Sequence, residues 1–147
     1  MGADIGFEAA AIARGWLGTP YQHQASCKGA GADCLGLLRG VWRALYGAEP
    51  MVLPAYTPDW GECDGRETLL NGARKLLPSA GPELRIGDVL VLRMRSMGAA
   101  KHLAILGQTT PATMIHAYSG RGVVESSLTP AWARRIAGHF RFPDRSE

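Results

Sequence analysis

The chain has 147 residues, 46% of them hydrophobic and 20% charged, with a formal net charge of +3 and a sequence pI near 9.0. That length suits one domain with a full core, so residues 1–147 read as a single domain, and the composition excludes a disordered or membrane-spanning chain. The charge is mild and holds no dense Lys/Arg block, which gives no indication of a nucleic-acid partner.

Residues 4–17 form the first predicted helix. Asp4 is placed to cap it, Glu8 sits in an early turn, and Ile5, Ala9, Ile12 and Trp16 share a face. The N-terminus has no basic leader and its apolar stretch is broken by Asp4, Glu8 and Arg14, so it does not read as a secretory signal. Gly18-Thr19-Pro20 ends the helix, and residues 21–32, without periodicity, read as a loop.

A second helix follows Asp33-Cys34. Leu35, Leu38, Trp42 and Leu45 recur at steps of three and four, and Gly47 stops the run. Cys34 therefore falls at the helix start, where unpaired N–H groups and the positive end of the dipole favour a thiolate. Placement alone leaves two readings open, a nucleophile or a small buried hydrophobe.

Residues 48–65 carry Pro50, Pro54 and Pro58 and read as a long connection of the kind that forms functional edges or docking surfaces. Residues 66–77 predict a third helix with Leu69, Leu70, Ala73 and Leu77 inward. The pattern then changes to short strands at 88–94, 102–106, 113–118 and 122–126, with a tight hairpin at 119–122. A helical turn at 132–136 precedes a last strand at 139–142. Helices first and strands later predict an α+β domain, with the helices on one side of an antiparallel sheet.

Cysteine catalysis requires an imidazole to take the thiol proton and a polar group to orient that imidazole. Among four histidines, His102 and His116 lie on strands expected to be neighbours, with both rings on one face if the register allows. A helix N-terminus packed on that face would bring Cys34 to them. The plainer alternative makes His116 a satisfied core residue and His102 a strand-end surface residue.

Five segments taken together resemble the NlpC-type cell-wall peptidase family: G-T-P-Y at 18–21, D-C-L-G-L-L at 33–38, G-D-V-L-V-L at 87–92, H-L-A-I-L at 102–106 and M-I-H-A at 114–117. The resemblance implies a papain-like α+β fold and cleavage of peptidoglycan stem peptides by a Cys–His–polar triad without a cofactor. It assigns Cys34 as nucleophile, His102 as general base and then acid, and His116 as the group orienting it. Tyr21 matches a tyrosine whose hydroxyl helps polarise the scissile carbonyl, and the backbone N–H of Cys34 is a natural oxyanion donor. Asp33 supports the site as a helix cap.

One position departs from the family pattern. The serine that commonly follows the cysteine and helps define the substrate pocket is Leu35 here. D-C-L-G-L resembles the branch found in phage tails and phage-like gene transfer agents. That branch implies synthesis in the cytoplasm, assembly with tail-hub and tail-tip proteins, and action in the cell wall. The rival expectations are a structural tail-hub adaptor with little catalysis and an acyl transferase using the same triad.

Other residues carry less. The chain has three cysteines, an odd count that leaves at least one thiol free within a monomer. Cys27 and Cys63 can pair or can join His23 at a metal, but His23-x3-Cys27-x6-Cys34 is not a zinc spacing, and no metal is expected. His139 and Arg134-Arg135 read as structural or surface residues. Trp16, Trp42, Trp60 and Trp132 read as core or docking anchors, with Trp60 the one most open to a partner.

Overall fold

The computed structural model describes residues 4–49, 68–94, 98 and 100–145. The expected docking loop, with Trp60 and Cys63, lies almost wholly outside the described residues. Helix α1 spans Ile5–Arg14, and Asp4 caps it by accepting a hydrogen bond from Gly6 N at 2.8 Å. Residues 21–32 form a small hairpin, β1 (Ser26–Cys27) against β2 (Gly31–Ala32), where a featureless loop was expected. Helix α2 runs Cys34–Tyr46 and α3 runs Thr68–Leu76. Gly47 takes φ +91 after α2 and donates to Arg43 O at 2.8 Å, the glycine stop the sequence announces.

Five antiparallel strands make the main sheet: β3 (Val89–Arg93), β4 (Ala100–Thr109), β5 (Ala112–Tyr118), β6 (Gly122–Ser127) and β7 (Ile136–Phe140). Their spatial order is β6-β5-β4-β3-β7. The first four form a meander, and β7 returns to the far edge beside β3, pairing Val89 with Phe140. Between β6 and β7 lies the short helix α4 (Pro130–Ala133), capped by Thr129 and started by Pro130. The expected helical turn at 132–136 is thus earlier and shorter. β7 begins at Ile136, where backbone pairing with β3 captures the chain.

Strand alternation divides the core. Val89, Val91, Leu103, Ile105, Ile115, Ala117 and Val123 face the three long helices, while Leu90, Leu92, Ala104, Leu106 and Met114 form a second cluster on the opposite face with Trp132 and Ile136. Leu69, Leu70, Ala73 and Leu77 are buried beneath α3 as expected. The buried stripe of α2 is rotated from the expected one. Leu37 and Val41 are fully buried, whereas Leu38 and Trp42 are partly covered. The cause is that α2 is covered on several sides. Trp16 fills the space left by Gly40, whose added Cβ would overlap the indole, and Trp42 stacks near Tyr46 and Phe142 at ring centroids of 4.4 and 6.4 Å. A helix enclosed this way does not present a single apolar stripe. Arg14 ties the end of α1 to the sheet through Glu125 at 2.9 Å and the Gly107 carbonyl at 2.8 Å.

Candidate active site

The site is built outward from Asp33, a residue only 2% exposed. Oδ1 accepts from Gly36 N and Oδ2 from Gln24 N, both at 2.7 Å. One oxygen caps α2 and the other pins the preceding loop, where Gln24 adopts φ +65. The first turn of α2 presses so closely on that loop that a Cβ on Gly36 would overlap the Ala25 carbonyl oxygen. Ser26 Oγ donates to Gly36 O at 2.6 Å. Asp33 is therefore a cap and a clamp, and it fixes the position of the residue after it.

That residue, Cys34, is partly buried, and its Sγ lies 3.9 Å from the Lys101 carbonyl of β4. The N–H groups of Leu103, Leu35 and Cys34 itself also bear on the sulfur. The thiol thus abuts the backbone on both sides of His102. Burial, and after it the negative charge of Asp33, push the thiol up to about 12, and those three N–H groups do not offset them. The helix start does not make a resting thiolate here. This corrects the sequence expectation, which counted the dipole and not the desolvation.

His102 and His116 meet across β4 and β5. His102 Nε2 lies 2.8 Å from His116 Nδ1, with ring centroids 5.0 Å apart. Both residues are buried, at 6% and 3% exposure. Burial, with the neighbouring His116, holds His102 down to about 3, and burial alone holds His116 down to about 4. Both rings are neutral at pH 7. Alternation sets His102 with Ala104 and Leu106, and His116 with Met114, on the face away from α1, α2 and α3. The expectation that the N-terminus of α2 packs on the imidazole face is corrected accordingly. The sulfur meets β4 at the backbone on either side of His102, in a stretch whose pairing with β5 begins only at Ile105.

Tyr21 is held by a parallel bridge to Ala32, one residue before Asp33. Its hydroxyl is pushed up by burial first, then by the Cys34 and Asp33 charges, so it remains a donor close to both. Leu35 is 8% exposed and belongs to the helix-side core. The structure therefore places it in packing.

Three neighbours of the histidines were not expected there. Ser126 Oγ lies 2.9 Å from His116 Nε2. Trp132 lies 5.8 Å from the His102 ring and 6.0 Å from the His116 ring, and Tyr118 lies 6.1 and 5.6 Å from them. Trp132, read from sequence as a core or docking anchor, is a wall of this site. A signal for Ser126 was present: the hairpin at 119–122 fixes the register, and that register sets Ser126 opposite Met114, on the face that carries His116.

The remaining candidates lie apart. His139 Nε2 pairs with buried Asp88 Oδ2 at 2.5 Å on the β3–β7 side. His23 stands 3.8 Å from Asp33 Oδ2, and Cys27 is a free, exposed thiol. Among the described residues, no three His, Cys, Asp or Glu side chains are grouped to hold a metal ion, and no helix is long and apolar enough to cross a membrane.

No family model matches this chain, and no curated protein sequence matches it. Solved structures do. NlpC1 from Trichomonas vaginalis is 20% identical with a TM-score of 0.63, over 97% of this chain and 45% of that one. An NlpC/P60 family protein from Bacillus cereus is 20% identical with a TM-score of 0.65, over 93% of this chain and 40% of that one. NlpC2 from Trichomonas vaginalis is 19% identical with a TM-score of 0.62, over 97% of this chain and 48% of that one. The fold is the NlpC-type, papain-like α+β fold. The chain spans less than half the length of these NlpC-type structures.

Proposed function

We propose that the protein is a cysteine hydrolase that cleaves a peptide stem of peptidoglycan. One observation carries the reading: the thiol of Cys34 abuts the strand segment bearing His102, whose Nε2 is engaged by His116 at 2.8 Å. Nδ1 is then the nitrogen of His102 left for chemistry. As a substrate carbonyl approaches, His102 Nδ1 takes the thiol proton while the sulfur bonds to carbon. The oxyanion is met by the Cys34 N–H and the Tyr21 hydroxyl. Collapse expels the amine, which leaves with the proton from His102, and a thioester remains. Water then adds, giving its proton to Nδ1. The carboxyl product departs as that proton returns to sulfur. His116 orients His102 throughout.

The neutral thiol and imidazoles favour proton transfer during attack over a standing ion pair, so substrate is needed to draw out the nucleophile. The setting we propose is a phage-type or gene-transfer-agent tail tip, made in the cytoplasm and delivered to the wall, on the strength of Leu35 in place of the usual serine. The test uses purified muropeptides with mass-spectrometric analysis of products. Wild type is expected to yield a cut stem, and Cys34→Ala to yield none while keeping its circular dichroism. Equal cleavage by both would sink the assignment. An intact stem with wild type would favour the structural tail-hub adaptor, and a product carrying an added primary amine would favour acyl transfer.

A further inference from the structure

We propose that Ser126 is a positioning residue that sets the tautomer of the histidine pair, keeping Nδ1 of His102 free to accept a proton. The proposal rests on the reading of His102 as the base. Three strands carry a continuous chain of polar atoms: His102 Nε2 to His116 Nδ1 at 2.8 Å, then His116 Nε2 to Ser126 Oγ at 2.9 Å. Two neutral imidazoles joined this way have two coherent arrangements. In one, His102 donates from Nε2, His116 accepts at Nδ1 and donates from Nε2, and the serine oxygen accepts. His102 Nδ1 then carries a lone pair. In the other, the serine donates to His116 Nε2 and His116 donates from Nδ1 to His102 Nε2. His102 Nδ1 then carries the proton and cannot take one from a thiol.

Both arrangements satisfy the His102–His116 contact equally, so the group at the end of the chain bears on the choice. Ser126 is on β6, the outer strand of the sheet, and is partly exposed, whereas both histidines are buried. Its hydroxyl proton can be given to water while its oxygen accepts from His116. That is the productive arrangement. An alanine there leaves the His116 Nε2–H without its protein acceptor and removes the bias. A threonine keeps the oxygen and suits a strand position.

The test uses the full chain with 15N-labelled histidine, comparing wild type, Ser126→Ala and Ser126→Thr at pH 7. Long-range imidazole spectra read the tautomers, and mass spectrometry reads the rate of Cys34 alkylation by iodoacetamide. Wild type and Ser126→Thr are expected to carry the proton on Nε2 of both rings. Ser126→Ala should lose that single state and alkylate about tenfold more slowly, as expected for one lost hydrogen bond. Unchanged tautomers in Ser126→Ala, or a wild-type His102 protonated at Nδ1, would overturn the proposal. So would a rate loss that Ser126→Thr does not recover. The tautomer readout needs no substrate. A protein that cuts no muropeptide yet shows the expected tautomer change would retain Ser126 as positioning residue and lose the peptidase reading.

Discussion

The buried histidine pair makes folding sensitive to acid in a defined window. His102 is held down to about 3 and His116 to about 4, against 6.5 for a free imidazole. Between pH 6.5 and those values the unfolded chain binds two protons that the folded chain refuses. Stability is therefore fully present above pH 6.5 and falls as pH drops through the window. The loss is about 1.4 kcal/mol per pH unit per histidine, hence about 5 kcal/mol by pH 4.5. That is comparable with the whole stability of a small domain, about 5–15 kcal/mol. Glu49, lowered by its hydrogen bond to Arg39, and Glu125, lowered by its hydrogen bond to Arg14, contribute only below their unfolded value of 4.5, so they do not obscure the window. Urea unfolding at intervals from pH 7.5 to 4.5 reads the effect. With a slope typical of small proteins the midpoint should fall by about 2 M across that range. His116→Asn removes one of the two titrating rings and should flatten the dependence by about half. A midpoint constant between pH 7 and 4.5, or a His116→Asn slope equal to wild type, would refute the burial argument.

Two further substitutions probe the start of α2. Asp33→Asn keeps an oxygen for Gly36 N and removes the charge that opposes the thiolate. The pH profile of Cys34 alkylation should move to lower pH, while the lost acceptor for Gln24 N costs about 1–3 kcal/mol in urea unfolding; a profile that stays put would show that the Asp33 charge does not reach the sulfur. Gly36→Ala should destabilise by about 1–3 kcal/mol despite the better helix propensity of alanine, because the new Cβ meets the Ala25 carbonyl. A raised thermal midpoint in that variant would contradict the close packing.

What could be read from the sequence was local. Asp4 and Asp33 as caps, Gly47 as a stop and the hairpin at 119–122 each follow from the chemistry of a few adjacent residues, and all are present. The pairing of His102 with His116 follows from adjacent strands and is present too. The misreadings are long-range. The start of β7 is decided by pairing with β3, nearly fifty residues earlier, and no local pattern announces it. The buried face of α2 is decided by Trp16 and the C-terminal segment around Phe142, which enclose a helix whose spacing suggested one stripe. Trp132 joins the site because α4 sits over the face that carries the imidazoles.

The thiol is the sharpest case, because local and long-range effects oppose each other at one atom. The helix start aims N–H groups at the sulfur of Cys34, and the sequence makes that visible. The same helix start is capped by Asp33, whose charge opposes a thiolate, and packing against β4 strips water from the sulfur. Desolvation is the largest of these effects and is a property of the assembled fold alone. A site arranged this way keeps nucleophile and base uncharged until a carbonyl arrives to accept the developing negative charge. The proton acceptor must then be ready in advance, since the resting thiol has not already given its proton up. That requirement falls on Nδ1 of His102, and through His116 on the hydroxyl of Ser126 at the sheet edge.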